Sequence, residues 1–375
     1  MEKYKILYLT PSVHIFGARQ SLLQLVRNLS PKFEPIVVCP EKGYLTQELD
    51  TSGIRIKYIP LYPWRKGKYF LLRYLSVLRL IRLVQKEKID LIHSNEFYCN
   101  PYAVRASAHS RIPVITHLRL YINPRMIKNY SLSSATKIVA VSNTTSKYVN
   151  GWNGRDQKVK VIYNGVDFDE LKAQESREAV RKRLGYTDDD FVIGHIGVFS
   201  PRKRQHTTLE IARHVVKENP HCQFLLVGEA NKRMLSYGDM LHSLLREYDL
   251  ADHVTFHPIS SDVASLFNAI DLNLLISSNE GFGRVIPEAA GFAKPTIGTR
   301  AGGISEVIRD GDTGYLVTLD DATTVARIIL ELASEKDKCT RMGQRAREFA
   351  RTSFSIERHV ENVEALYEQV LNHHS

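Results

Sequence analysis

The fold of this chain is constrained above all by short apolar runs that alternate with helix-length amphipathic segments, first in one half of the sequence and then again in the other. The runs are rich in Val, Ile and Leu, which is typical of parallel strands buried on both faces. They comprise residues 6–9, 36–39, 54–59, 89–93, 114–117, 138–141 and 159–162, then 191–196, 224–227, 254–256, 272–276, 296–298 and 315–317. Strands that alternate with helices build βαβ units, so the sequence predicts an α/β fold with two doubly wound parallel-sheet domains.

The first domain is predicted to span residues 1–168 and the second residues 169–355. Residues 356–375 carry one more amphipathic pattern, and we expect this helix to pack back on the first domain. Ligands of open α/β sheets bind beyond the carboxyl ends of the strands. Two such domains are therefore expected to face a ligand in the cleft between them.

Composition and charge narrow the class of protein. The 375 residues are 43% hydrophobic and 25% charged, which is typical of a globular protein and not of a disordered, collagen-like or coiled-coil chain. No apolar run reaches the roughly 18 residues of a membrane-spanning helix. The 4 cysteines are widely spaced, as reduced thiols are, and we expect a cytoplasmic protein.

The positive charge is concentrated in the first domain. Residues 1–170 hold 26 Lys and Arg against 12 Asp and Glu, whereas residues 171–375 hold 25 against 29. This asymmetry predicts that one domain meets an anionic partner, and nucleic acid, a membrane surface and a phosphorylated substrate all fit it.

The most informative motif follows an apolar run and reads Glu-Gly-Phe-Gly, with Glu280 on the loop and Glu288 on the helix that follows. Gly281 and Gly283 would let the backbone approach a ligand closely and present N–H donors to it. The helix that starts near Arg284 would direct its positive end at a phosphate or at sugar hydroxyls. The plainer alternative is a tight turn with a solvated acid.

A second motif, His-Ile-Gly-Val-Phe-Ser-Pro-Arg-Lys-Arg-Gln at residues 195–205, also follows a strand. Arg202, Lys203 and Arg204 place positive charge where a diphosphate leaving group would develop negative charge. Cations at the start of a helix oppose its dipole unless an anion binds there. This mismatch favours a diphosphate site over a basic turn that merely faces solvent.

Three features of the first domain are weaker signals. Phe16, Gly17 and Ala18 lie between the first strand and a helix, where a loop would approach a phosphate. His117 ends a strand within reach of the same edge, although a packed histidine explains its position equally well. Asn164 starts an Asn-Gly-Val-Asp turn that closes the domain.

Several nucleotide and metal motifs are absent from the sequence. It contains no G-x-x-x-x-G-K-[ST] loop, no G-x-G-x-x-G fingerprint, no H-E-x-x-H and no Cys/His cluster at zinc spacing. ATPase, dehydrogenase and metalloenzyme interpretations are weakened accordingly, and we expect no metal cofactor.

Segment 64–88 supplies much of the basic charge. Arg73, Ser76, Arg79 and Arg82 recur every three residues, which predicts one polar, cationic stripe on an otherwise apolar helix. Aromatic residues lie at its start, and a basic amphipathic helix with aromatics is typical of a surface attracted to anionic lipid. The alternative is an ordinary domain helix with its wide face in the core, and both interpretations can hold together.

Taken together, these motifs resemble those of the family-four retaining glycosyltransferases, nucleotide-sugar enzymes of the GT-B fold also called glycosyl transferases group 1. The resemblance extends over nearly the whole chain. Its further matches are the Ile-Val-Ala-Val-Ser-Asn strand at residues 138–143, the Tyr-Asn-Gly-Val-Asp turn at 163–167 and Ala-Gly-Gly-Ile-Ser-Glu-Val-Ile at 301–308. It implies two Rossmann-like domains and the transfer of a sugar, with retention and without a metal, from a UDP- or GDP-linked donor. The acceptor would be a glycan or lipid-linked molecule at the cytoplasmic membrane face, and nucleic acid would not be a partner.

The resemblance also implies residue roles. Lys203 would stabilise the leaving diphosphate, Glu280 would face the transferred sugar, and His117 would position the sugar and the acceptor side. The leaving diphosphate would itself accept the acceptor's proton, on the same face of the sugar. Glu288 would bind the ribose hydroxyls. The implied substrate-binding residues are Gly17, Asn164, Arg202, Ile259, Phe282, Gly283, Val285, Ile286 and Glu288.

Two positions depart from the family pattern. Val198 stands where the family usually has an arginine, so one diphosphate cation is missing, and Arg202 and Arg204 are the candidates to replace it. Phe16 replaces the first of two glycines in the N-terminal loop, and Arg19 stands where an acid is common. These changes predict a different sugar or acceptor at that loop.

Two other classes of function compete with this interpretation. A GT-B epimerase would release a changed nucleotide sugar without an acceptor, and a phosphorylase would need free phosphate. A non-catalytic protein that binds an anionic polymer through its basic domain would lose affinity steeply with salt. The last alternative leaves Glu280 and Glu288 unexplained.

Overall fold

The structure is a computed structural model that describes residues 3–14, 17–149, 158–230, 234–259 and 262–373. Packing divides the chain into two compact units. Unit 1 joins Met1–Gly165 to Ile356–Ser375, and unit 2 is Val166–Ser355. The strands predicted from the sequence are all present in order, and each unit contains a parallel sheet, which confirms the predicted α/β class.

Unit 1 is built on a seven-stranded sheet in its described part. Its strands are β1 Tyr4–Leu9, β2 Phe33–Cys39, β3 Arg55–Tyr58, β4 Leu91–Ser94, β5 Val114–Leu118, β6 Lys137–Ala140 and β7 Val159–Val161. Their spatial order is β3-β2-β1-β4-β5-β6-β7, so the direction of winding reverses between β1 and β4. Ligands of doubly wound sheets bind at such a reversal, beside the carboxyl ends of the strands.

Helices cover both faces of the unit 1 sheet. They are α1 Ala18–Arg27, α2 Tyr44–Thr51, α3 Phe70–Glu87, α4 Asn100–Ser110, α5 Pro124–Asn129, α6 Asn143–Lys147 and the C-terminal helix Ile356–Asn372. Successive residues of β1 alternate between the faces: Leu7 and Leu9 pack in one core cluster, and Ile6 and Tyr8 pack in the other. The C-terminal helix contributes to the second cluster, where Tyr367 is fully buried.

Unit 2 contains a six-stranded sheet in its described part. Its strands are β8 Phe191–Ile196, β9 Cys222–Val227, β10 Val254–His257, β11 Leu272–Leu275, β12 Thr296–Thr299 and β13 Gly314–Val317, in the order β10-β9-β8-β11-β12-β13. Its helices are α7 Arg177–Leu184, α8 Gln205–Glu218, α9 Leu235–Glu247, α10 Val263–Ala269, α11 Val285–Gly291, α12 Ile304–Val307, α13 Ala322–Ser334 and α14 Lys336–Ser353. The reversal lies between β8 and β11, so the loops after these two strands are neighbours.

Helix α3 differs from its prediction. Ser76 is buried and donates to a backbone carbonyl at 2.7 Å. The Arg73 guanidinium lies over the Trp64 ring, 4.9 Å from its centroid. The single cationic stripe is therefore wrong, although Arg79 and Arg82 are exposed. A three-residue repeat identifies a helix face, but the packing of the neighbouring segment decides whether that face is covered.

The first turns of α3 instead expose apolar side chains to solvent. Leu71 is 72% exposed and Phe70 68%. We call this surface the α3 apolar patch; it comprises Phe70, Leu71, Leu72, Tyr74 and Leu75. Lys66 and Lys68 precede it and are exposed. Within the described ranges, no helix is both long enough and apolar enough to cross a bilayer.

The four cysteines are buried and unpaired, as the sequence predicts for reduced thiols. Burial raises the pKa of the Cys39 and Cys339 thiols to about 12. These thiols are therefore inert packing groups rather than nucleophiles.

Candidate active site

In unit 2, the loops that follow β8 and β11 are joined by hydrogen bonds. The carbonyl oxygen of Arg202 accepts from the Ser278 amide at 2.9 Å and from the Ser277 hydroxyl at 3.0 Å. The two motifs that the sequence singles out thus form one surface, because β8 and β11 are adjacent in the sheet.

Glu280 lies at the centre of this surface. Its Oε1 is 2.7 Å from Lys203 Nζ and 2.9 Å from Arg202 Nη1, and it accepts a hydrogen bond from Ser277 Oγ at 3.0 Å. The side chains of Lys203 and Glu280 are only 12% and 10% exposed. We refer to Arg202, Lys203 and Glu280 as the cationic cluster, because two positive side chains share one carboxylate.

The electrostatics of the cationic cluster keep Glu280 ionised. Burial alone would raise its pKa, but Lys203 and then Arg202 outweigh that effect, with help from hydrogen bonds, and the pKa of Glu280 lies below its ordinary value. Behind the cluster, His195 is buried and its pKa falls to about 3, because burial and the nearby Lys203 both disfavour its charged form.

The backbone of the glycine loop at residues 301–303 packs directly against the backbone of Glu280. Gly303 N–H donates to the Glu280 carbonyl at 2.8 Å. A Cβ on Gly302 would lie 2.0 Å from the same carbonyl oxygen, and one on Gly303 would lie 2.3 Å from the Gly281 oxygen. Gly302 also has a φ of +60°, which L-residues with a Cβ rarely adopt. Backbone therefore packs directly on backbone here, which fixes the position of Glu280.

The structure separates the two cations that were candidates to replace the family arginine. Arg202 contacts Glu280 and donates to the Asn279 carbonyl at 2.7 Å. Arg204 instead pairs with Asp320, outside the cationic cluster. Arg202 is therefore the second cation beside Lys203.

Helix α11 begins directly after the Glu280 loop. Arg284 forms an ion pair with Glu288 one turn later, through Nη2 at 2.9 Å. Phe282 is buried edge-on against Phe354, with the ring centroids 5.4 Å apart, so its side chain anchors the loop. Ile286 is buried as well.

The remaining predicted positions of unit 2 differ in exposure. Val285 is partly exposed at the first turn of α11, and Gly283 is buried with a φ of +85°. Ile259 follows β10 and is 41% exposed.

Unit 1 contains three of the predicted site residues, at the carboxyl edge of its own sheet. His117 is fully buried near the end of β5, and its Nδ1 lies 2.8 Å from His93 Nε2. Its Nε2 is buried and has no hydrogen-bond partner in the described ranges. Burial, Arg119 and the neighbouring histidines hold the pKa of His117 well below its usual value, so its ring is neutral.

Asn164 is held by Arg119. Arg119 Nη1 donates to Asn164 Oδ1 at 2.6 Å, and the same guanidinium donates to the side-chain oxygen of Asn95 at 2.9 Å. Gly17 precedes α1 and is exposed with a φ of +29°, which suits a glycine, whereas Phe16 lies outside the described residues. Arg19 Nε lies 3.5 Å from the buried carboxylate of Glu96.

Sequence reasoning missed His93, Tyr367 and Arg119. A signal for His93 was available, because it is the next-to-last residue of β4, just as His117 is the next-to-last residue of the neighbouring β5. Tyr367 gave no such signal, since its place in the site depends on packing of the C-terminal helix. Among the described residues, no group of three or more His, Cys, Asp or Glu is arranged to hold a metal ion.

Two family models match the chain along most of its length. Glycosyltransferase Family 4 matches residues 16–170, and Glycosyl transferases group 1 matches residues 176–349. The second match contains the whole cationic cluster, and the first contains His117 and Asn164.

Curated relatives and solved structures agree with these models. N-acetyl-alpha-D-glucosaminyl L-malate synthase of Bacillus anthracis is 28% identical over 78% of each chain. The UDP-Gal:alpha-D-GlcNAc-diphosphoundecaprenol alpha-1,3-galactosyltransferase of Escherichia coli is 21% identical over 97% of each. Anabaena Alr3699/HepE in complex with UDP-glucose is 25% identical, with a TM-score of 0.87 over 97% of this chain and 99% of that one.

The two parallel sheets have the architecture of the GT-B fold, which the solved HepE structure shares. This chain belongs to the glycosyl transferases group 1, the GT-B glycosyltransferases that use a nucleotide sugar as donor.

Proposed function

We propose that this enzyme transfers a sugar, with retention of configuration and without a metal ion, from a UDP-sugar to a glycan or lipid-linked acceptor at the cytoplasmic membrane face. The observation that carries the proposal is the cationic cluster, in which Lys203 and Arg202 converge on Glu280 within 3 Å. The cluster lies at the carboxyl edge of a doubly wound sheet, where such folds bind their ligands.

Lys203 and Arg202 would bind the donor diphosphate. Both are already aligned by Glu280 before a ligand arrives, so little reorganisation is needed when charge develops on the leaving group. Two cationic side chains supply the positive charge that a metal ion supplies in other transferases. We therefore expect turnover to persist in the presence of EDTA.

Retention by a front-face route is the mechanism proposed for this fold. Oε1 of Glu280 is engaged by Lys203, Arg202 and Ser277, so its carboxylate is tied to the cations that would meet the leaving diphosphate. We assign Glu280 to orienting the cations and the transferred sugar, and the leaving diphosphate to accepting the acceptor's proton. Glu288 would bind the ribose hydroxyls, sharing its carboxylate with Arg284.

Uracil is the proposed base because two similar proteins are solved with, or named for, a uridine nucleotide. HepE has been solved with UDP and with UDP-glucose, and the E. coli relative is named for UDP-Gal. That relative is also named for a diphosphoundecaprenol acceptor, which supports a lipid-linked acceptor here.

The α3 apolar patch supports action at a membrane. Large apolar side chains project into solvent beside exposed Lys66, Lys68, Arg79 and Arg82. Apolar groups next to basic groups bind an anionic bilayer surface, the first by insertion and the second by attraction to headgroups. This surface would bring the enzyme to a lipid-linked acceptor.

The donor assignment is tested by thermal unfolding with UDP, GDP, ADP and their glucose conjugates. A nucleotide present at a hundred times its dissociation constant should stabilise the enzyme by about 2.7 kcal/mol. We expect UDP and UDP-glucose to stabilise the wild type against thermal unfolding and to leave the stability of Glu288→Ala unchanged. The product with an acceptor is then examined by NMR for its anomeric configuration. Inversion would overturn the retaining assignment, and a changed nucleotide sugar released without acceptor would indicate an epimerase.

The membrane assignment is tested by sedimentation with vesicles that contain phosphatidylglycerol. The double variant Leu71→Ser/Leu75→Ser should lose binding, whereas Leu235→Ser, which removes an equally exposed leucine from unit 2, should retain it. Equal binding by both variants would remove the α3 apolar patch from the proposal.

A further inference from the structure

Two arginine side chains of unit 1 lie over the same tryptophan ring. The guanidinium of Arg73 on α3 is 4.9 Å from the centroid of the Trp64 ring, and that of Arg105 on α4 is 4.4 Å from it. Arginine stacks on aromatic rings in this way because its planar cation is attracted to the electrons of the ring. We call Trp64, Arg73 and Arg105 the arginine–tryptophan stack.

Hydrogen bonds to α3 and α4 hold the Trp64 segment in place. Trp64 lies between β3 and α3, and its ring meets the Tyr102 ring of α4 edge-on, with the centroids 5.1 Å apart. The Tyr102 hydroxyl donates to the Tyr62 carbonyl at 2.9 Å, and Ser76 of α3 donates to the Pro60 carbonyl at 2.7 Å. The segment is therefore tied to both helices, and the stack is positioned before any ligand arrives.

The stack lies in a part of the chain that contains almost no acidic residues. Residues 51–86 contain 9 Lys and Arg and no Asp or Glu, and residues 97–155 contain 8 and none. Glu87 and Glu96 are the acids nearest to the two arginines along the chain, and both pair with other cations. Within the described ranges, no carboxylate pairs with either arginine of the stack. The charge of the stack is therefore not balanced by its own chain.

Both arginines of the stack retain most of their hydrogen-bond donors. Arg73 donates to the Trp64 carbonyl, and Arg105 Nη1 donates to the Pro101 carbonyl at 3.0 Å, whereas each guanidinium has five N–H groups. The two charges also act on each other, because burial and then Arg73 lower the pKa of Arg105. A bound anion would relieve this repulsion and accept the remaining donors.

We propose that the arginine–tryptophan stack binds the diphosphate of a lipid-linked acceptor at the bilayer surface. A diphosphate that joins a sugar to a lipid carries two negative charges, one for each guanidinium, and its oxygens match the planar N–H fork of arginine. The phosphate of phosphatidylglycerol carries a single charge, so it would leave one guanidinium without a counter-charge.

The α3 apolar patch brings the stack to the headgroups of a bilayer. Arg73 lies between Leu72 and Tyr74 in the first turns of α3, so the patch and the stack approach a membrane together. Apolar side chains enter the acyl region, while neighbouring cations remain at the level of the lipid phosphates. The lipid part of the acceptor would thus stay in the bilayer while its diphosphate is bound.

A third stacked cation lies between the stack and the carboxyl edge of the sheet. The guanidinium of Arg65 is 5.1 Å from the centroid of the Tyr130 ring, and this ring meets the Tyr98 ring edge-on at 5.4 Å. Tyr98 follows β4 and is 37% exposed. We expect the sugar on the diphosphate to extend along these rings to the strand ends, where doubly wound sheets bind their ligands.

The inference rests on the proposed function for the identity of its ligand, and it is tested by binding alone. The full chain is sedimented, without donor, with two kinds of phosphatidylcholine vesicle. One contains undecaprenyl diphosphate, and the other contains phosphatidylglycerol in the amount that gives the same zeta potential. We expect the wild type to bind the first about tenfold more tightly or better, the scale of one hydrogen-bonded charge pair. Equal affinities would overturn the inference, since the surface would then recognise negative charge alone.

Double variants separate the stack from the net charge of α3. Arg73→Gln/Arg105→Gln should lose the preference for diphosphate, while the α3 apolar patch still binds it to the phosphatidylglycerol vesicles. The matched control is Arg79→Gln/Arg82→Gln, which removes the same charge from exposed positions of α3. It should weaken binding to both vesicles alike and leave the preference unchanged. A preference lost equally in the two double variants would overturn the inference.

Arg105→Gln alone keeps the test valid if the double variant does not fold. Arg105 is exposed on α4, and its loss should remove most of the preference, whereas an unchanged preference would exclude it from the site. If the wild type prefers diphosphate vesicles but transfers no sugar from any nucleotide donor, the proposed function fails and the stack stands. If it transfers sugar but binds both vesicles equally, the stack fails and the proposed function stands.

Discussion

The carboxyl edges of the two sheets are organised by opposite means. In unit 2, the cationic cluster holds formal charges in contact, and its two cations keep the Glu280 carboxylate ionised. In unit 1, Tyr8, Tyr367, His93 and His117 form a row of hydrogen bonds between neutral groups, which we call the tyrosine–histidine relay. The first arrangement is charged and the second is neutral.

The comparison shows how burial acts on each site. Burial disfavours a charge at both sites. Lys203 and Arg202 compensate Glu280, whereas the groups that act on His93 and His117, first Arg119 and then neighbouring histidines, lower their pKa further, and both rings remain neutral. A buried group therefore stays ionised where an opposite charge lies beside it, as at Glu280, and is neutral where none does, as at His93.

The strongest challenge to this comparison is Lys203→Ala. Removing the cation that faces the leaving group should lower turnover by about 10²-fold or more, the scale of one lost transition-state donor. Arg204→Ala is the matched control, since it removes an adjacent cation that pairs with Asp320 outside the cluster. Steady-state kinetics of both variants make the test. Similar turnover in the two would remove Lys203 from the chemistry.

The backbone contact beneath Glu280 is tested by Gly302→Ala. A Cβ there would meet the Glu280 carbonyl at 2.0 Å, so we expect a loss of about 3 kcal/mol in unfolding free energy, from backbone strain together with overpacking. Gly311→Ala has a similar positive φ but open space around it, and should cost only about 1 kcal/mol. Chemical denaturation gives both values. Equal losses would mean that the loop shifts freely and does not fix Glu280.

The neutrality of the relay predicts a pH dependence of stability. The pKa of His93 is lowered to about 3 in the folded protein. Between its ordinary pKa and that value, the unfolded chain therefore binds a proton that the folded chain does not. The contribution of neutral His93 to the free energy of unfolding is complete above about pH 6.5. Below that pH it falls by about 1.4 kcal/mol per pH unit. Glu280, whose pKa is also lowered, adds its own loss only at pH values near and below the ordinary range of a glutamate.

Tryptophan fluorescence resolves this effect, because Trp64 and Trp152 both belong to the unit 1 part of the sequence. Denaturation followed at pH 7, 6, 5 and 4 should give a shallower slope for His93→Gln than for the wild type. Parallel slopes would indicate that His93 is charged or exposed in the folded state.

Most of the cationic cluster can be predicted from the sequence, because each of its residues lies in a continuous motif directly after a strand. The resemblance to the glycosyltransferase family places Lys203, Glu280 and Glu288 from local patterns, and the strand order of a doubly wound sheet then brings the two loops together. Which of Arg202 and Arg204 contacts Glu280 cannot be predicted from the sequence. It depends on how the loop turns at Arg204, whose backbone is left-handed.

The tyrosine–histidine relay cannot be predicted from local sequence patterns, for a different reason. Tyr8 and Tyr367 are separated by 359 positions, and their bond exists only because the C-terminal helix packs on the face of β1. Helix α3 shows the same limit on a smaller scale. Its period predicts which residues share a face, but the burial of Ser76 follows from the segment that lies against it.

The C-terminal helix has a consequence for the order in which the protein is made. Its residues Val363, Leu366 and Tyr367 complete a core cluster of unit 1, yet the ribosome synthesises them after the whole of unit 2. Unit 2 is continuous in sequence and is complete as a segment once Ser355 has been synthesised, whereas the face of β1 that α1 covers still lacks the C-terminal helix at that point. Domains usually fold during synthesis from the N-terminal side, but here the core of the first unit is completed last.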